Sequence, residues 1–301
     1  MVLTSLLVSI QRKSAYLLFY SVFGKITFVK HDFKEALMEK FVQVGPINVA
    51  YAVEGSGPAV LLIHGTGGSY EGTWGNLGKA LAPDFTVITP NYSGSGKTQD
   101  DRERLELDDL VEQNVQAVMQ EGFTHFHVVG YSLGAVVATA IAAKYPERVQ
   151  SVTAIAGWVE SDLAVAYQFD LWQKLFRQDR ELFAQFAIHT GLSPAFYSSF
   201  QTLEQLHEFT ANLAATLAEG TGKQAELDTR INLRPLLGKV TAPALAIGLT
   251  YDRMVPVEQT REMAALLPDA RYHEIASGHL VLWEQEAELI ETVLSFVRST
   301  R

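Results

Sequence analysis

Along residues 39–301, short β-branched apolar runs alternate with longer amphipathic stretches. That pattern predicts strands interleaved with helices around a largely parallel sheet, an α/β fold. Residues 41–44 and 49–53 flank Gly45-Pro46 and predict a hairpin. Further strands are expected at 60–63, 86–89, 126–130, 149–155, 244–248 and 271–275. Between the fourth and fifth of these runs, Leu107, Leu110, Val111, Val115, Val118 and Met119 recur every three or four residues, which predicts a helix burying one stripe.

Residues 158–234 break the alternation. Leu171, Leu175, Phe176, Leu182, Phe183 and Phe186 follow a helical period with no strand among them, which predicts a helical cap inserted into a core made of 38–157 and 235–301. Residues 1–37 differ again, with Arg12, Lys13, Lys25, Lys30 and Lys34 against Asp32 and Glu35. Their apolar runs, 2–10 and 15–23, are each too short to span a bilayer. Arg12-Lys13 splits the runs and no small-residue cleavage site follows, unlike a secretory signal. The expectation is an accessory extension, or Met38 as the working start, on a cytoplasmic protein. A signal or a membrane-surface anchor is the alternative.

With 48% hydrophobic and 19% charged residues, the 301-residue chain has enough apolar mass for one large core. A net charge of -10 argues against nucleic acid as a partner, because phosphate binding needs clustered Lys and Arg. The sequence has no cysteine, which removes disulfides, thiolate catalysis and sulfur-ligated metals. No metal and no cofactor are expected, and the expected partner is a small molecule.

The chemistry concentrates at Gly130-Tyr131-Ser132-Leu133-Gly134. A strand precedes Ser132 and a helix follows it, and in that context G-x-S-x-G reads as a tight turn presenting a nucleophilic serine. The two glycines let strand and helix pass closely. Acyl transfer also needs two N–H donors where charge develops on the carbonyl oxygen. These are assigned to Leu133 and to Thr66, which sits in His64-Gly65-Thr66-Gly67-Gly68 after the strand at 60–63. His64 is read as holding that turn.

A serine hydroxyl needs a histidine base and a carboxylate to orient it. Asp252, in the loop after 244–248, and His279, after 271–275, supply them in the order Ser, Asp, His. Both loops lie at carboxyl ends of strands, where open α/β sheets place their sites. Glu160 and Asp162 are rival acids, and His273 is a rival base. Ser95-Gly96-Lys97-Thr98 imitates the end of a nucleotide-binding loop, but the required first glycine falls at Asn91.

From about Met38 onward these motifs resemble the α/β-hydrolase fold family, in its branch with a helical cap. The resemblance rests on His64–Gly68, on the segment from Pro90 to Thr98, on the serine turn, on the Asp252 loop and on Ser277-Gly278-His279. Asn91 stands where the family pattern usually has aspartate. The resemblance implies an eight-stranded, mostly parallel sheet and a serine esterase or lactonase working through an acyl-enzyme. Thioesterases, carbon–carbon bond hydrolases, perhydrolases and acyltransferases share the triad, a non-enzymatic small-molecule receptor on the same scaffold is the remaining alternative, and Ser132 argues against relatives with an aspartate nucleophile. The cap is rich in aromatics, which suggests an apolar pocket for an acyl or ring portion. His64, Gly65, Tyr131, Trp158 and Trp172 are the expected pocket residues.

Overall fold

The computed structural model describes residues 16–20, 26–30 and 38–300. Contacts divide the chain into Met1–Ala36 and Leu37–Arg301. In the first unit β1 (Tyr16–Tyr20) pairs antiparallel with β2 (Ile26–Lys30). The run 2–10, Arg12-Lys13 and the ends of the run 15–23, on which the signal and anchor readings rest, lie outside the described residues.

The second unit is built on eight strands in the order β10-β9-β8-β7-β5-β6-β4-β3. These are β3 (Met38–Val44), β4 (Ile47–Gly55), β5 (Ala59–Ile63), β6 (Thr86–Pro90), β7 (Phe126–Tyr131), β8 (Val149–Ile155), β9 (Ala244–Leu249) and β10 (Ala270–Ile275). β3 and β4 form the expected hairpin, turned at Gly45 with φ 54°. β4 runs antiparallel to β6, and the other pairs are parallel. Every residue of β5, β6, β7 and β9 is buried. Strands covered on both faces read as unbroken apolar runs, which is why they stand out in the sequence.

Helices α1 (Tyr70–Thr73), α2 (Gly75–Leu81), α3 (Leu107–Gln120) and α4 (Leu133–Lys144) follow the earlier strands. Leu61 and Ile63 of β5 join one apolar core with Leu110 of α3 and Val136 of α4. Val60 and Leu62 face the opposite core with Leu77 and Leu81 of α2. The alternation along one strand thus welds two helix layers to the sheet. On that second face Leu289 and Val293 also pack, from α13 (Glu286–Ser299).

Between β8 and β9 the chain runs through α5 (Leu163–Gln178), α6 (Arg180–Gly191), α7 (Pro194–Tyr197), α8 (Leu203–Thr216), α9 (Thr221–Asp228) and α10 (Arg234–Leu237). Asp162 and Asp179 start α5 and α6 by accepting two backbone N–H bonds each. An antiparallel bridge between Glu160 and Asn232 ties the two ends of this insertion together. Leu233 N–H to Val159 O at 2.7 Å and Ser161 N–H to Ile231 O at 2.9 Å flank it. After β9 come α11 (Val257–Leu266) and, beyond β10, α12 (Val281–Glu284).

The passage from β7 to α4 is the tightest in the fold. Ser132 sits between them at φ 57°, ψ -121°. A Cβ on Gly130 would lie 2.0 Å from Gly134 O, and one on Gly134 would lie 1.9 Å from Ile63 O. Those neighbours are backbone and cannot swing aside. Gly134→Ala is therefore expected to destabilise the fold by roughly 3 kcal/mol, as overpacking of a close contact does. Gly238→Ala, with nothing within 4 Å of the added carbon, should leave thermal unfolding followed by circular dichroism unchanged.

Candidate active site

Three loops at the carboxyl ends of β7, β9 and β10 bring Ser132, Asp252 and His279 together. His279 Nε2 lies 3.0 Å from Ser132 Oγ, and His279 Nδ1 lies 2.5 Å from Asp252 Oδ2. All three are buried. Asp252 Oδ1 accepts the N–H groups of Met254 at 2.8 Å and Val255 at 2.9 Å, so its own loop aims the carboxylate. Tyr131 Oη donates to His279 O at 2.7 Å and holds the histidine backbone. Nδ1 thus faces the Asp252 carboxylate and Nε2 faces the Ser132 hydroxyl.

The rival residues are engaged elsewhere. Asp162 caps α5, and Glu160 pairs with Arg234 at 2.9 Å. His273 lies on edge strand β10, 3.2 Å from Glu288.

The turn after β5 packs directly on the serine, since a Cβ on Gly65 would sit 2.9 Å from Ser132 Cβ. Gly67 N–H donates to Gln224 Oε1 at 2.8 Å, and Gly68 N–H donates to Gly65 O at 3.1 Å. That bonding leaves Thr66 N–H aside. Leu133 is the first residue of α4, where a helix has no internal acceptor for its N–H. His64 is fully buried, stacks on Tyr92 at 4.1 Å and bonds Gly65 O through Nδ1 at 2.9 Å. Burial pulls its pKa down to about 4, so the ring stays neutral.

A cavity of about 140 Å³ opens over Ser132 and His279. One wall is the turn Gly65–Gly68 with Tyr131. The other is apolar and includes Trp172, Phe183, Leu213, Leu217, Met254 and Trp283, and among the described residues no Asp, Glu, Lys or Arg lines the space. Two expected pocket residues are not in its lining. Trp158 is fully buried, packed on Phe169 at 5.5 Å with Nε1 donating to Ser161 Oγ. His64 is occupied at the base of the turn.

Two residues that sequence reasoning missed reach this turn from α9. Gln224 takes the Gly67 N–H, and Asp228 Oδ2 accepts from Thr66 Oγ1 at 2.6 Å. Asp228 is fully buried and its Oδ1 has no partner. Burial raises its pKa to about 8, against an opposing pull from the Thr66 hydrogen bond.

A fold of this topology, with a serine turn and a histidine–aspartate pair at the strand ends, defines a hydrolase class. A family model for the alpha/beta hydrolase fold matches residues 58–286, and the chain belongs to that family. It is 36% identical over 264 residues to the pyrrolizixenacetamide deacetylase of Xenorhabdus hominickii, covering 86% of this chain and 97% of that protein. The enol-lactonase from Burkholderia xenovorans LB400 shares the fold at TM-score 0.76 and 19% identity, covering 86% of this chain and 100% of that one. A thermophilic esterase from Thermogutta terrifontis matches at TM-score 0.76 and 20% identity, covering 87% and 98%. Among the described residues no helix is long and apolar enough to cross a membrane, and no group of three or more His, Cys, Asp or Glu is arranged to hold a metal ion.

The Asp228 shift carries a pH prediction. Its folded pKa of about 8 lies above the ordinary 3.8, so the native state holds a proton that the unfolded chain releases. Its contribution to stability is complete below the ordinary value and is lost as pH rises through about 8. Asp228→Asn, uncharged throughout, should lose less melting temperature than the parent between acidic and alkaline buffers. Equal losses in the two proteins would assign the dependence to other groups.

Proposed function

We propose that this chain is a serine-dependent acyl hydrolase that cleaves an ester-like bond through an acyl-enzyme. The observation that carries the reading is the unbroken hydrogen-bonded series from Ser132 Oγ through His279 to Asp252. His279 accepts the serine proton as Ser132 attacks the carbonyl carbon, and then protonates the leaving group. Asp252 orients the ring and stabilises the imidazolium that forms. The N–H groups of Thr66 and Leu133 hold the negative charge that develops on the carbonyl oxygen. Water, deprotonated by His279, attacks the acyl-enzyme; the bond to Ser132 Oγ breaks, His279 returns the proton to that oxygen, and the acid is released.

Residues 158–234 act as a cap whose apolar side forms the far wall of the pocket. With no Asp, Glu, Lys or Arg among the described residues of that lining, the substrate is uncharged with an apolar acyl or ring portion. An unpaired carboxylate or ammonium would be desolvated there without compensation. A second reading, hydrolysis of a small acyl amide, is favoured by the 36% identity to a deacetylase over most of both chains. The same triad serves both bonds, and the difference lies in how readily His279 delivers a proton to the amine that leaves.

Ser132→Ala is expected to fold normally and to lower turnover of p-nitrophenyl acetate by more than about a thousand-fold, the scale of losing a serine nucleophile. Near-parental turnover in the folded variant would overturn the assignment. A series of p-nitrophenyl esters beside N-acetyl anilides, each measured against Ser132→Ala, decides between ester and amide.

A further inference from the structure

We propose that Gln224 and Asp228 are positioning residues for this reaction, holding the Thr66–Gly67 turn so that the insertion helices complete the oxyanion site. The inference rests on the acyl-hydrolase reading and on Thr66 N–H as an oxyanion donor. Gln224 and Asp228 stand four residues apart and so share one face of α9. Both are fully buried.

Together with Ala218 they engage the turn at three consecutive points. Thr66 Oγ1 donates to Asp228 Oδ2 at 2.6 Å, Gly67 N–H donates to Gln224 Oε1 at 2.8 Å, and Gly67 O accepts from Ala218 N–H at 3.0 Å. Gly67 adopts φ +74°, a conformation that glycine enters and leaves readily. The turn therefore depends on outside partners to stay in one arrangement. The peptide preceding Thr66 is held at its carbonyl, because Gly65 O accepts from Gly68 N–H and pairs with His64 Nδ1. In a trans peptide the N–H points opposite the C=O. Fixing Gly65 O on one side, and Thr66 and Gly67 on the other, sets the direction of the Thr66 N–H.

α9 is itself fixed to the core. Gln224 Nε2 donates to Ser93 O at 3.1 Å and to Ser95 Oγ at 2.9 Å. Gly220 N–H donates to Gly94 O at 2.8 Å, and a Cβ on Gly220 would lie 2.4 Å from Gly94 Cα. This close glycine crossing seats α9 where its two side chains meet the turn. Misplacing an oxyanion donor weakens binding of the transition state more than binding of the substrate, so the loss belongs in kcat.

The test is steady-state hydrolysis of p-nitrophenyl acetate by the full chain, with melting temperatures measured in parallel. Gln224→Ala and Asp228→Ala are expected to lower kcat about ten-fold with KM nearly unchanged, a part of what deleting an oxyanion donor costs. Asp228→Asn keeps the acceptor for Thr66 and is expected to restore most of kcat. Where Asp228→Ala does not fold, Thr66→Val removes the same bond from the other side and should show the same loss. Folded Gln224→Ala and Asp228→Ala (or Thr66→Val in its place) with parental kcat, or with losses confined to KM, would overturn the proposal. If Ser132→Ala is also active, the acyl-hydrolase reading has failed instead.

Discussion

A left-handed backbone at a residue other than glycine costs on the order of 1–3 kcal/mol, and Ser132 holds that conformation at φ 57°. The surrounding fold maintains it by a bond that repeats across the sheet. Ser132 N–H, leaving β7, donates to Ile155 O at the end of β8. Ala156 N–H, leaving β8, donates to Ile247 O on β9, and Thr250 N–H, leaving β9, donates to Ile275 O at the end of β10. Each strand's exit is thus tied to its neighbour's last residues. The three loops that carry Ser132, Asp252 and His279 are registered to one another before any side chain meets.

The parts of this arrangement that were legible in the sequence are those with local causes. Strands such as 149–155 and 244–248 announce themselves because both faces are covered, and the structure extends most runs by only a residue or two. The β10 run was visible as well, although its burial is incomplete. Gly130 and Gly134 could be read because backbone crossing there leaves no room for Cβ. Trp158 misled because an aromatic just past a strand suits a pocket wall as well as a buried layer, and the layer prevailed. Asp228 and Gln224 carried no signal. Asp228 meets Thr66 across 162 residues and Gln224 meets Gly67 across 157, and a polar residue on a short helix reads as surface until the fold buries it.

Two buried carboxyls near the site differ in their partners. Asp252 Oδ1 accepts two backbone N–H bonds while Oδ2 meets His279. Asp228 has one hydroxyl donor and an unpartnered oxygen, and burial holds it protonated up to about pH 8. The carboxyl beside the Thr66–Gly67 turn is therefore neutral, and under the proposed reading a negative charge there would oppose the oxyanion. The overall charge of -10 does not reach the pocket lining.

Polar and apolar contacts divide the attachment of the insertion to the core. At its first anchor the end of α6 meets the acid and base loops. Arg253 donates to His189 O, Leu280 N–H donates to Gly191 O at 3.2 Å, and Glu284 accepts both Ser193 N–H and Gly278 N–H. At its second anchor α9 meets the Thr66–Gly67 turn. Between the two, α8 meets the core through apolar faces such as Phe209 on Trp283, 5.1 Å apart. Hydrogen bonds are directional and fix loop geometry, whereas apolar packing tolerates exchange of one side chain for another of similar volume. The anchors therefore constrain the loops around Ser132, while Leu213, Leu217 and Trp283 line the cavity. Under the proposed acyl-hydrolase reading, chemistry and selectivity reside in different contacts of the same insertion, so one can change without dismantling the other.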